Sequence, residues 1–84
     1  MRYIHRATGR VLGVYQSFND MWIVASRRAS GGLQRFKSPK LPPCRDRETC
    51  QENLDAFAVA WRMPEAGPEP AAEQAAEMFR SVTA

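Results

Sequence analysis

The first part of the chain reads as short apolar runs separated by turn residues, and the second as one apolar stripe of helical period. Residues 2–5 form a short run with the character of an edge strand. Ala7-Thr8-Gly9-Arg10 follows as a turn, with Gly9 free to take positive φ. Val11-Leu12-Gly13-Val14-Tyr15-Gln16 is rich in β-formers, and Phe18-Asn19-Asp20 punctuates it. Residues 21–26 make the strongest strand signal, apolar on both faces at its start. Ser30-Gly31-Gly32 is a hairpin signal, and residues 33–37 read as the returning strand. Three or four strands joined by short loops make an antiparallel meander.

A proline-rich connector comes next. Pro39, Pro42 and Pro43 remove backbone donors and fix φ, so this segment is neither helix nor central strand. Thr49-Cys50-Gln51-Glu52 then fits a capping box that opens a helix, with Asp46 as a rival cap one turn earlier. Behind it Cys50, Leu54, Phe57, Ala58 and Trp61 fall at i, i+4, i+7, i+8 and i+11, a single stripe predicted to face a core. Pro64 ends the pattern. This divides the chain into a folded unit over residues 1–63 and a Pro/Glu/Ala tail over residues 64–84. Within the tail, residues 71–81 have good helix formers, but their stripe of Ala72, Ala75, Ala76 and Phe79 is weak because alanine buries little area, which leaves a marginal helix, a docking tail or disorder open. The expected fold class is α+β: a three- or four-stranded antiparallel meander packed on one amphipathic helix, with room for a short C-terminal helix.

Composition narrows the function classes. At 84 residues and 44% apolar content the chain supports one domain with a small core. Its two cysteines, Cys44 and Cys50, are too few for a disulfide framework. With no signal-like N-terminus and no apolar run of membrane-spanning length, the expectation is a soluble cytoplasmic protein. No Cys/His pair has zinc-site spacing, and the single His5 is remote from both cysteines. Neither a nucleophile with a partner base nor paired carboxylates appear, so the expectation is a non-enzyme without metal or cofactor. Cys50 is accounted for as a core residue of the helix face. Glu48, Glu52 and Asp55 are accounted for by the positive end of the helix dipole.

Charge is the feature that changes the picture. Up to residue 45 nine basic residues stand against Asp20 alone; from residue 46 onward three arginines stand against eight acids. Such a split fits a surface that attracts polyanions, and it equally fits two halves that attract each other. If Trp22, Val24 and Phe36 face the helix, Arg27, Arg35 and Lys37 share the opposite sheet face. Arginine forks there suit guanine edges and phosphates. Ile23 and Ala25 fall on that same face, where they would meet thymine methyls, or else the face assignment is reversed. Arg10, Arg27, Arg28, Arg35, Lys37 and Lys40 are the candidate nucleic-acid contacts. Trp61 is expected in the core, whereas Trp22 is open between core and base-stacking roles.

The order of residue types resembles a known one. Gly13-Val14-Tyr15, Trp22-Ile23-Val24-Ala25, Arg27-Arg28 before a Gly-Gly turn, Phe36, then Thr49 and Glu52 opening a helix with Leu54 and Phe57 look like the N-terminal arm-binding domain of phage integrases. The plant ethylene-response-factor DNA-binding domain is similar. The resemblance covers roughly residues 9–63 and is a pattern of types rather than a signature. It implies a three-stranded sheet packed on one helix, lying in the major groove of duplex DNA, and a prophage or mobile-element origin. The proline-rich connector departs from the pattern, and no recombinase catalytic segment follows. The other reading is a small protein-interaction module or inhibitor, with a protein partner on the acidic C-terminal half.

Overall fold

A computed structural model describes residues 1–67. The expected tail helix over residues 71–81 lies outside them. Four strands form one antiparallel sheet in chain order: β1 (Tyr3–His5), β2 (Arg10–Gln16), β3 (Trp22–Arg27) and β4 (Leu33–Arg35). One helix, α1 (Arg47–Ala60), packs on the sheet against β2 and β3. The architecture is thus the α+β meander-plus-helix that the pattern implies, in its four-stranded form.

The turns follow from local chemistry. Gly9, at φ 73°, and Gly31, at φ 94°, occupy the left-handed region that glycine enters without a steric penalty. Between β2 and β3 the Ser17 amide donates to the Met21 carbonyl at 2.8 Å, and Asp20 takes φ 62°. β4 ends at Arg35, but the Phe36 amide still donates to the Val24 carbonyl at 2.9 Å, so the ladder runs one residue further than the strand.

Register sets the two faces, because residues paired across an antiparallel ladder point the same way. Tyr3 pairs with Leu12, Val14 with Val24, and Gln16 with Trp22. Leu12 and Val24 are buried with Cys50, Leu54, Phe57 and Ala58 of α1, and Tyr3, Val14, Trp22 and Phe36 pack around them. Leu41 completes this core from within the proline-rich connector, which therefore does more than span a gap. Trp22 is on this inner face, its amide and carbonyl paired with those of Cys44 and Arg47 lying over its ring. It is a packing residue.

Both ends of α1 differ from expectation. The N-cap is Asp46, not Thr49: its backbone is extended, and its carboxylate accepts from the Thr49 amide at 2.9 Å and from the Thr49 hydroxyl. A carboxylate at the positive helix end wins over a hydroxyl one turn later. The same bonds hold the Asp46 carboxyl below its ordinary pKa. At the other end Trp61 is the C-cap and is 60% exposed, not core. Arg62 turns left-handed at φ 52°, its amide donating to the Val59 carbonyl while that of Met63 donates to the Ala58 carbonyl. This is a Schellman closure, and it reverses the chain so that Met63, rather than Trp61, enters the core.

The ordered unit does not stop at residue 63. Ile4 donates to the Pro64 carbonyl and Ala66 to the Arg2 carbonyl, each at 2.9 Å, so residues 64–67 run beside the outer edge of β1. Among the described residues no helix is long and apolar enough to cross a membrane.

Candidate nucleic-acid interface

The sheet face turned away from α1 is built by the alternate residues. Ile4 pairs there with Val11, Gly13 with Ala25, Tyr15 with Ile23, Ala25 with Arg35, and Arg27 with Leu33. Arg27 and Arg35 therefore share the outward face, as expected, and both are exposed. Ile23 and Ala25 lie on it too, so the face assignment is not reversed, but Ala25 is 0% exposed and offers nothing to a thymine methyl, which leaves the half-buried Ile23. No strand residue of this face is acidic; among the described residues, the acids other than Asp20 lie in or beside α1 or at Glu65.

Part of the face is laid over with side chains. A Cβ at Gly13 would meet Arg2 Cγ at 3.1 Å and Tyr15 Cε2 at 3.2 Å, so both side chains cross the sheet where glycine leaves room. Arg27 stands over the Tyr15 ring, 5.1 Å from its centroid, and its Nη1 donates to the Gly31 carbonyl at 2.9 Å. Arg2 Nε donates to the Gly67 carbonyl at 3.1 Å. The result is a layer of Arg2, Tyr15 and Arg27 with guanidinium groups held by carbonyls and a ring. Held guanidinium groups lose less side-chain freedom when they meet an anion.

The remaining candidates are dispersed. Arg28 is exposed in the β3–β4 turn, where its amide donates to the Gly32 carbonyl at 2.7 Å. Lys37 and Lys40 are exposed beyond β4, with no geometry joining them to Arg27 and Arg35. Arg10 is on the other face. It pairs with His5, its Nε donates to Ser26 Oγ at 2.9 Å, its Nη2 to the Gln34 carbonyl at 2.7 Å, and its guanidinium covers Phe36 at 5.5 Å. Arg10 sits at the start of β2 with the same parity as Leu12, which places it inward; these bonds make it a structural side chain that closes the rim of the core.

The sequence pattern does not single out two further residues of this side. Arg2 belongs by pattern only to an edge run, and its place on the face depends on its position opposite Gly13. Phe18 serves the pattern only as punctuation, yet it is fully exposed at the tip of the β2–β3 turn. Its signal was available: an aromatic between serine and asparagine in a tight turn contributes nothing to forming that turn.

The inner side has its own polar cluster. Tyr3 Oη donates to Asp55 Oδ1 at 2.7 Å, and Gln51 Nε2 donates to the same oxygen at 2.9 Å. The Asp55 hydrogen bond, with burial and the charges of Asp55 and Glu65, pushes the Tyr3 phenol up to about 12. Burial first, then neighbouring Cys44 and Asp46, push the Cys50 thiol up to about 11, which keeps it a neutral core group. Both cysteines are free. Among the described residues no group of three or more His, Cys, Asp or Glu is placed to hold a metal ion.

No protein-family profile, curated protein or solved structure matches the chain.

Proposed function

We propose that this chain is a non-catalytic DNA-binding module of mobile-element type that holds duplex through the sheet face turned away from α1. The observation that carries the reading is the charge layering. Arg2, Arg27 and Arg35 stand on one face, whose described strands carry basic but no acidic residues, while Glu48, Glu52 and Asp55 belong to the helix behind. A polyanion meets the sheet favourably and the helix unfavourably, which fixes the orientation of binding. The layer order, a helix behind a sheet whose free face is basic, is also the one that the integrase and ethylene-response-factor resemblance implies. A twisted sheet presented this way fits the major groove as β-ribbon readers do. Arg28, exposed at the hairpin tip next to Arg27, adds a further charge at the rim of that surface.

The test is a salt titration of affinity for random-sequence duplex. The logarithm of affinity falls linearly with the logarithm of salt, with a slope of about −0.9 per phosphate neutralised, so roughly four to six contacts give about −4 to −5. Arg35→Ala weakens binding and, if the contact is a phosphate, flattens the slope by about one. Glu52→Gln, on the opposite side, changes little. Absence of affinity for duplex at about 50 mM salt, where electrostatic binding is favoured, overturns the proposal. In that case the acidic half, as a surface for a protein partner, becomes the better reading.

A further inference from the structure

We infer that the tip of the β2–β3 turn is a stacking site for an unpaired nucleobase, so that the protein also takes single-stranded DNA there, beside the face that holds duplex. The inference rests on the nucleic-acid reading above and adds a ligand class to it. Phe18 is 111% exposed, as free of contact as in an extended peptide, and its turn is fixed without its help. The Ser17 amide and hydroxyl both donate to the Met21 carbonyl, the Asp20 amide to the Ser17 carbonyl, and the Met21 amide to Asn19 Oδ1. The ring is thus presented on a rigid mount, and stabilises nothing in the described fold.

Two clefts adjoin it. One, of about 400 Å³, is lined by Phe18, Ile23, Leu33, Gln16, Gly32 and Arg35. The other, of about 340 Å³, shares Ser17, Phe18, Ile23 and Arg35 and extends to Met21 and Pro43. Both are within the size range of small-ligand pockets, roughly 300–1,000 Å³, and both have room for a nucleobase. Their chemistry fits a flat aromatic with a polar edge: an aromatic plane, aliphatic side chains and one guanidinium. A base offers a π-face to Phe18 and a hydrogen-bonding edge to Arg35, while the neighbouring Arg27 and Arg28 meet the phosphates. An apolar peptide would find three arginines at the border of its site. A base inside a duplex cannot reach Phe18 face-on, because its own faces are already stacked; an unpaired one can.

The experiment uses the full chain with two fluorescent probes at one salt concentration, an oligothymidylate and a duplex of equal length. The wild type binds both probes, and failure to bind the strand overturns the base site. Phe18→Ala weakens strand binding roughly five- to a hundredfold, the range for loss of one base-stacking contact, with the melting temperature and the salt slope unchanged. Phe18→Trp restores it. Arg35→Ala weakens both probes and flattens both slopes. If Arg35→Ala weakens both probes but Phe18→Ala weakens neither, or weakens the two alike, the base site is overturned while the DNA-binding reading stands. If the wild type binds neither probe, both readings fall. If Phe18→Ala instead converts a dimer to a monomer in sedimentation, the face belongs to self-association and the base site is overturned.

Discussion

Phe57 and Trp61 sit one turn apart on the same helix stripe, their ring centroids 5.8 Å apart, yet only Phe57 is buried. Phe57 also meets Phe36 edge-on at 5.8 Å, which ties α1 to the end of the sheet. Phe57→Ala therefore costs about 3–5 kcal/mol, a large share of the stability of a domain this small. Trp61→Ala stays within about 0.5 kcal/mol, as exposed positions do. Chemical denaturation of the two variants checks the contrast. Periodicity alone treated them as equivalents, because a stripe shows which side a residue is on and not where the helix stops. Tyr3 and Cys50 give a second residue-scale expectation. Each has its folded pKa raised, to about 12 and about 11, above the ordinary values of 10.0 and 9.0. Their stabilisation is fully present below those ordinary values and is lost as pH rises through the folded ones. The melting temperature therefore declines between about pH 9 and pH 12, and Tyr3→Phe removes the upper part of that decline. Thermal melts across this range check it.

The strands and their turns were legible in the chain, because glycines at positions 9 and 31 and the β-rich runs act locally. The helix boundaries were not, because each end is decided by a competition. Asp46 and Thr49 are both good caps, and a carboxylate in the right extended backbone wins. At the other end Pro64 forbids continuation, but the stop comes earlier, at a Schellman turn made by arginine where glycine is usual. Arg62 at φ 52° carries a steric cost that glycine does not. Arg62→Gly is accordingly expected to raise stability by up to about 1 kcal/mol, read as a higher denaturation midpoint at unchanged slope. A loss would mean that the Arg62 side chain holds something the turn needs. Leu41 escaped notice for a related reason: a leucine between prolines has no period to announce it, and only the fold shows that it fills the core.

For the molecule as a whole, Arg27 and Arg35 stand on the outward sheet face while Glu48, Glu52 and Asp55 belong to the helix behind it. Arg27 and Arg35 were placed by parity, which pairing preserves across a ladder. Arg10 was not, since its charge drew attention away from its own parity with Leu12. Phe18 lay beyond any periodicity, in a turn where neither rule applies. The pairing of residues 64–67 with β1 has a consequence for how the protein is made. β1 precedes the other described strands in sequence, yet its outer edge waits for the Pro64 carbonyl and the Ala66 amide. The hairpins of β2, β3 and β4 join neighbours in sequence and form as they emerge. β1 keeps an open edge until the whole of α1 has been made and Schellman closure has turned the chain back. A chain that reaches only to residue 63 therefore carries a ready-made template for pairing with another copy, and it is the returning segment that seals the sheet.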